Sequence, residues 1–523
     1  MEIGLAQAQV DRVRRGALEH PSDARELRLA GPLGHHFAAD PRGLLYRCAG
    51  RGRRRATATH GAPPKHKGLL CRTFPNRRGK ATSVTIVLGA QFGDEAKGKI
   101  ADFLASGARY VVRSGGGPNT GHTIVLPEGK VVLHQLACGV LRHGVTGVSG
   151  PGMVIQPFKF EDELRELESR SLLRGEVVIS DRAHVILPVH ELEDAWEDDL
   201  RARTVPGAGL GTTRRGIGPA YADRYGRWGI RFGDLGHPAL LKERLELLYA
   251  TKTHLPNLPA KDEVLARLSE TGARLSAFVR PTEPILWGAI ERGEPILIEG
   301  AQSALLDIDF GTYPYVTSSH PTSAGALMGS GIPPAELDRV IGVAKAYTTR
   351  VGEGPFPTED SGEWGEYLRR AGSERGATTG RPRRCGSLDL VMLRYAARLN
   401  GFTSFAISKV DALGGREKVP VCVRYEMPDG SSVRDALPSE ADDLAKARPV
   451  YEWLAGWPEF HERLRSRIRE EGAAALPAPL LDFLKFITEQ TGVPVEFVGY
   501  GPARDETVSL GAPPPRRRRP GPA

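Results

Sequence analysis

The run Gly89-Ala-Gln-Phe-Gly93-Asp-Glu-Ala-Lys-Gly-Lys99-Ile100 contains, from Gly93, the spacing GxxxxGK. In that spacing, glycines let backbone N–H groups close round phosphate oxygens at a helix N-terminus, and the lysine supplies a fixed cation. Such loops usually end in Ser or Thr, whose hydroxyl holds Mg²⁺, but Ile100 has no oxygen to offer. A metal here needs another donor, and Asp94 inside the loop is the candidate. A chance glycine-rich turn is the alternative. The apolar run Val84–Leu88 before the loop and the helical pattern after it favour phosphate binding.

Three further segments could do chemistry. Arg113-Ser-Gly-Gly-Gly117-Pro-Asn119-Thr-Gly121-His122-Thr123 combines glycines that permit close backbone approach with a histidine able to act as an acid or electrostatic stabiliser. Taken alone, His122 reads equally well as a hydrogen-bonded structural residue. In Ile407-Ser408-Lys409-Val410-Asp411, a carboxylate can accept the ring N–H and exocyclic amine of guanine while the lysine stem lies against the ring. Adenine lacks that donor pair, so the segment would select GTP over ATP. Gly376-Ala377-Thr378-Thr379-Gly380-Arg381-Pro382-Arg383-Arg384 gathers guanidinium groups suited to a dianion. A solvated basic loop is the plainer reading of that charge run.

These segments follow short apolar runs. Val84–Leu88, Tyr110–Val112, Val177–Ile179, Ile296–Ile298, Val340–Ala344, Phe405–Ile407 and Val495–Val498 read as buried strands. Helical patterns lie between them. In Leu480–Thr491, the residues Leu480, Phe483, Leu484 and Ile487 keep a helical spacing, and Gly492 is placed to cap the C-terminus. The alternation predicts an α/β fold, a large single domain around a mostly parallel central sheet with a P-loop-like nucleotide site, plus peripheral helices and hairpins.

The net charge of +8 resides at the ends. Residues 1–80 carry 17 Lys+Arg against 6 Asp+Glu, Arg516–Arg519 add four charges, and the body between is net acidic. Nucleic-acid binding by the fold is therefore not expected. Residues 1–80 show no sustained period and read as a basic, disordered extension. With Ser22 as its one serine, the segment fits an Arg- and Ser-rich transit peptide poorly, and a dispensable extension is the preferred reading. Residues 81–512 form the expected catalytic domain, and 513–523 a Pro/Arg tail. No run approaches the ~20 apolar residues that cross a membrane. The five scattered cysteines suggest neither disulfides nor zinc, and point to a reducing compartment, the cytoplasm.

Taken in order, further runs identify a family resemblance. Gln91–Lys99, Gly211-Thr-Thr-Arg-Arg-Gly-Ile-Gly-Pro-Ala-Tyr221, Glu299-Gly-Ala-Gln302, Asp307-Ile-Asp-Phe-Gly-Thr-Tyr-Pro-Tyr-Val-Thr-Ser-Ser319 and Arg350-Val-Gly-Glu-Gly-Pro-Phe-Pro-Thr-Glu359 resemble adenylosuccinate synthetases. So does the loop 376–384, and the likeness spans residues 83–510. It implies a GTP-dependent ligase that joins L-aspartate to inosine monophosphate (IMP) through a 6-phosphoryl intermediate. It assigns Asp94 as base, His122 as acid and Lys97 as the cation at the transferring phosphoryl group. One Mg²⁺ per subunit would be held by Asp94 and the carbonyl of Gly121.

The resemblance places GTP against Gly93, Asp94, Glu95, Ala96, Lys97, Gly98 and Lys99. Gly121, His122, Thr123 and Arg383 would join them, with Lys409, Val410, Asp411, Gly499, Tyr500 and Gly501 around the base. IMP falls to Asp94, Lys97, Asn119, Thr120, Gly121, His122, Thr213, Gln302, Thr317 and Arg381. Arg227 would reach the site of the neighbouring subunit in a homodimer. Aspartate falls to Ala377, Thr378, Thr379, Gly380, Arg381, Pro382 and Arg383. The chain departs from the family pattern at Ala96, Pro118, Thr120 and Pro382. Ala96 replaces the usual glycine, and at positive φ its β-carbon would cost about 1 kcal/mol or more. A nucleotide-binding homologue with weakened catalysis is the main alternative, yet Asp94, Lys97 and His122 are all retained. An ordinary P-loop GTPase or kinase is a third, disfavoured by Ile100.

Overall fold

The computed structural model describes residues 83–205, 209–376, 380 and 382–511. The basic extension 1–80 and the tail 513–523 lie outside the described residues. So do Ala377, Thr378, Thr379 and Arg381 of the loop assigned to aspartate.

Ten strands form the main sheet. From one edge they are Thr507–Ser509, Val495–Gly499, Ser404–Ser408, Leu337–Lys345, Val84–Gly89, Ile296–Ser303, Tyr110–Arg113, Thr146–Ser149, Glu176–Ser180 and Val279–Arg280. Every neighbouring pair is parallel except the antiparallel edge pair Val495–Gly499 and Thr507–Ser509. All seven predicted strands fall in this sheet. The central ones are apolar throughout because both faces are covered, as a parallel sheet requires.

The strand period of two splits the core into two layers. Ile86, Leu88, Ile296, Ile298, Val340, Phe405 and Ile407 face one layer. Val87, Val111, Leu297, Ile341, Val343 and Ala406 face the other. Helix Lys97–Ala105 packs Ile100 and Ala101 into the second layer, so Ile100 serves the core and not a metal. Helix Ala478–Thr491 buries Leu480, Phe483, Leu484 and Ile487 as its spacing predicts, and Gly492 caps it at φ 70°. Peripheral pieces include the hairpin His122–Leu126/Gly129–Leu133 and a four-stranded sheet containing Lys418–Glu426 and Arg448–Ala455.

The first strand in sequence, Val84–Gly89, sits between Ile296–Ser303 and Leu337–Lys345. The chain leaves it towards Tyr110–Arg113 on one side, whereas Ile296–Ser303 connects across it to Leu337–Lys345 on the other, so the C-terminal ends of these strands border the crevice where such sheets bind ligands. The loops after Gly89, Arg113, Ser408 and Gly499 carry most of the residues singled out from the sequence.

Close packing under this crevice gives a test. A β-carbon on Gly342 would lie 2.4 Å from the ring of buried Phe402. Gly342→Ala should destabilise the domain by about 1–3 kcal/mol through overpacking. A urea unfolding midpoint equal to that of the parent would contradict this packing.

Candidate active site

The phosphate loop is fastened by Glu95, whose side chain is fully buried. Its Oε1 accepts from the amides of Gln91 (3.1 Å) and Gly93 (2.8 Å). Its Oε2 accepts from Lys97 Nζ (2.6 Å) and Ser303 Oγ (2.8 Å). Lys97 Nζ also donates to Ser303 Oγ at 3.1 Å. Burial works to raise the Glu95 carboxyl, but Lys97 and these hydrogen bonds outweigh it and hold it below the usual carboxylate range. A β-carbon on Gly89 would sit 1.9 Å from Ser303 Oγ and 2.6 Å from Glu95 Oε2, so this fold-back needs glycine. Gly93, Asp94 and Ala96 have φ of 100°, 60° and 68°. Ala96 thus stands at positive φ, the position where its β-carbon is costly.

His122 begins the hairpin beside this loop. A β-carbon on Gly98 would lie 2.6 Å from His122 Cβ, so that glycine admits the histidine against the helix N-terminus. His122 Nδ1 is hydrogen-bonded to Glu299 Oε1, and Glu299 Oε2 accepts the Cys138 amide at 2.9 Å. Burial works to raise Glu299, but His122, Arg113 and the Cys138 amide overcome it and hold the carboxyl at about 2. Burial pulls the His122 imidazole down while Glu299 works in the opposite direction. An ionised Glu299 makes Nδ1 the protonated nitrogen and turns Nε2 to the cavity. That Nε2 is buried with no hydrogen-bond partner among the described residues. Glu299 lay within a recognised motif, but its role in orienting His122 was not read from the sequence.

The remaining groups converge from other strand ends. Gln302 Nε2 donates to Asn119 Oδ1 (3.0 Å) and Thr120 Oγ1 (2.8 Å). Thr317 Oγ1 is buried and unpartnered. Beyond Ser408, Lys409 takes φ 62° and donates to the Gly372 carbonyl at 2.7 Å. Asp411 pairs through Oδ2 with Arg465 at 3.5 Å, and its Oδ1 is buried without a partner. Lys99 Nζ donates to the carbonyls of Gly501 (2.6 Å) and Glu506 (2.7 Å). Burial lowers the Lys99 ammonium to about 8, against the pull of Asp411 and Glu506.

Asp94, Lys97, His122, Gln302, Arg383 and Asp411 line one cavity of about 770 Å³. Gly93, Ala96, Gly98, Lys99, Asn119, Thr120, Gly121, Thr123, Thr213, Thr317, Lys409 and Gly501 also contribute to its wall. Glu95, Val410, Gly499 and Tyr500 are buried behind it, and Gly380 and Pro382 lie outside the wall. Arg227 is exposed and away from this cavity. Asp94 Oδ2 accepts from Arg383 Nε at 2.7 Å, which joins the phosphate loop to the arginine loop.

A cavity at the ends of a parallel sheet, floored by a phosphate loop, defines a nucleotide-dependent α/β enzyme. The family model for adenylosuccinate synthetase matches residues 86–508. Over 431 residues the chain is 43% identical to the adenylosuccinate synthetase of Streptomyces coelicolor, covering 81% of this chain and 98% of that one. Over 430 residues it is 44% identical to the Mycobacterium tuberculosis enzyme, covering 81% and 97%. The fully ligated adenylosuccinate synthetase of Plasmodium falciparum superposes with a TM-score of 0.76 at 36% identity, covering 82% of this chain and all of that one. The chain belongs to the adenylosuccinate synthetase family, ligases that form a C–N bond in AMP biosynthesis.

Two outcomes follow from the loop. Ala96→Gly should relieve about 1–2 kcal/mol of left-handed strain. It loses about 0.4–1 kcal/mol of that to a freer unfolded chain, so thermal unfolding should shift modestly upward. A downward shift would mean that the Ala96 methyl contributes packing. Nucleotide phosphate brought against Lys99 favours the charged ammonium, so binding above a pH of about 8 must take up a proton. Affinity for GDP, followed by calorimetry, should therefore fall as pH rises through that value, and a flat profile would remove Lys99 from phosphate contact.

Proposed function

We propose that the chain joins L-aspartate to IMP at the expense of GTP, giving adenylosuccinate, GDP and phosphate. The supporting observation is the single cavity that Asp94, Lys97, His122, Gln302 and Asp411 share. Asp94 removes the ring proton of IMP, and the 6-oxygen attacks the γ-phosphorus. The new O–P bond forms as the bond to GDP breaks. The aspartate amine then attacks C6, and phosphate leaves with the electron pair of the old C6–O bond and takes up the proton that the amine gives up. A 6-oxo group leaves poorly, whereas its phosphoryl ester leaves well.

Lys97, held by Glu95 and Ser303, neutralises charge on the transferring phosphoryl group. His122, with Nδ1 fixed by Glu299, directs Nε2 at the 6-oxygen and donates to it after taking up a proton as charge develops there, because burial holds the free imidazole below its usual range. Asn119, Thr120, Thr213, Gln302, Thr317 and Arg381 hold IMP, and Lys409, Asp411 and Gly501 receive guanine. The Asp94 carboxylate and the Gly121 carbonyl share the cavity wall, and Ile100 faces the core. This sparse oxygen set fits Mg²⁺, which takes few protein ligands beside substrate phosphates. When bound there, Mg²⁺ neutralises phosphate charge.

Arg227 lies beside exposed Tyr225 and Trp228, which supports a homodimer in which Arg227 completes the partner's IMP site. Among the described residues no helix is long and apolar enough to cross a membrane. The buried free thiols of Cys138, Cys385 and Cys422 agree with a cytoplasmic setting.

The test mixes protein, IMP, aspartate, GTP and Mg²⁺ and follows the ultraviolet band of adenylosuccinate. Product should require all of them, and ATP should not replace GTP. Asp94→Asn should abolish turnover with the melting temperature nearly unchanged; near-normal turnover would falsify the assignment of the base.

A further inference from the structure

Glu374 is a fully buried carboxylate that the proposed reaction does not use, and it is no part of the cavity wall. Lys345 Nζ, at the end of its strand, reaches both Glu374 oxygens at 2.9 Å and Thr349 Oγ1 at 2.8 Å. The Tyr347 hydroxyl donates to Oε1. From the other side, Arg383 Nη1 donates to Oε2 at 2.5 Å, and the Arg383 amide donates to the Glu374 carbonyl at 3.0 Å. A β-carbon on Gly372 would lie 2.0 Å from the Tyr347 hydroxyl and 2.9 Å from Glu374 Oε1, so the approach is as tight as the chain allows.

One carboxylate therefore serves two cations in a water-poor place. Burial opposes its charge, but Lys345 and Arg383 overcome this and hold Glu374 at about 2. A single buried ion pair would satisfy Lys345 alone. The second cation, Arg383, extends out of the cluster to the cavity, where its Nε meets Asp94 Oδ2 at 2.7 Å. Arg383 has five N–H donors in a rigid fork. Among the described residues, one is committed to Glu374 and one to Asp94, and a carboxylate arriving from the cavity would meet the others.

We propose that Glu374 is a positioning residue that fixes the Arg383 guanidinium between Asp94 and the substrate carboxylate. This rests on the reading of Arg383 as an aspartate clamp. Through Glu374, one guanidinium is shared by the group that removes the proton and the group that receives the second substrate. Aspartate then competes with Asp94 for Arg383 and releases the base as it binds. A purely structural cluster would stop at Lys345 and Tyr347 and would leave the aspartate dependence alone.

The experiment compares Glu374→Gln, Arg383→Ala and the double variant in the full-length chain, with thermal melting as a folding control. Glu374→Gln should raise KM for aspartate by about tenfold or more, as loss of one partner of a buried charge pair does. KM for IMP should change by less than about threefold. The double variant should be no worse towards aspartate than Arg383→Ala, because the two residues act as one unit. If Glu374→Gln does not fold, Glu374→Asp keeps the charge with a shorter reach and should give an intermediate rise. An unchanged aspartate KM in the folded Glu374 variant, where Arg383→Ala raises it, overturns the proposal, as do additive effects in the double variant. An unchanged KM in Arg383→Ala instead overturns the clamp reading on which it rests.

Discussion

The carboxylate of Glu95 holds a backbone that would not hold itself. Asp94 and Ala96 both sit in the left-handed region, at about 1–2 kcal/mol each for residues with a β-carbon. Such conformations persist only where neighbouring contacts over-determine them. Glu95 supplies those contacts by accepting two loop amides, the Lys97 ammonium and the Ser303 hydroxyl. Ser303 closes the adjacent strand, so the loop is tied to the sheet as well as to itself. Removing the carboxylate would leave a buried ammonium unpaired, which is far costlier than the pair.

That fastening propagates. The loop sets the start of helix Lys97–Ala105, and Gly98 in its first turn lets His122 pack against it. His122 in turn reaches Glu299, which carries the Cys138 amide. The imidazole is thus located by the helix N-terminus at Gly98, the strand Ile296–Ser303 through Glu299 and the Cys138 amide, and a rotation of its ring would break a hydrogen bond to a fully buried carboxylate. On the opposite side, Ser408 Oγ donates to the Glu95 carbonyl at 2.8 Å, which ties the segment Ser408–Asp411 to the same loop. The relative placement of groups from distant segments therefore depends on a few buried polar contacts beneath the cavity.

The central strands were legible because burial on both faces makes each a continuous apolar run. Thr146–Ser149 was not, because it is a short Thr-Gly-Val-Ser segment. Its Gly147 is required by packing, since a β-carbon there would meet Val140 at 2.4 Å. Val279–Arg280 and Thr507–Ser509 are too short to show a period. At the site, the residues on strand ends were legible from motif spacing, and the cavity gathers Asp94, Lys97, His122, Gln302 and Asp411 as expected. Glu299 and Glu374 were not legible as positioning groups. Glu299 lies 177 residues from His122, and only the sheet order brings them together. Val410 and Tyr500 travelled with their motifs, but their side chains turn into the core, a direction that spacing alone does not carry.

The cavity wall also contains deficits that say what kind of ligand it suits. His122 Nε2, Thr317 Oγ1 and Asp411 Oδ1 are buried without partners among the described residues, and an unmade hydrogen bond of this kind costs about 1–3 kcal/mol. These atoms differ in what they accept. Asp411 as carboxylate can only receive a donor, and His122 Nε2 gives one only once the imidazole has taken up a proton, which its burial opposes. A ligand that removes both deficits presents N–H groups at the Asp411 end and an acceptor oxygen at the His122 end. The ring N–H and amine of guanine meet the first need, and the 6-oxygen of IMP meets the second. Adenine would set a ring nitrogen lone pair against the Asp411 carboxylate, leaving the deficit in place and adding repulsion. Sites built to hydrogen-bond a given donor reject analogues lacking it by about 10⁴-fold or more, because the buried group stays unpaired. In the proposed reading, guanine selection would come less from attraction to the right base than from the unrelieved cost of the wrong one.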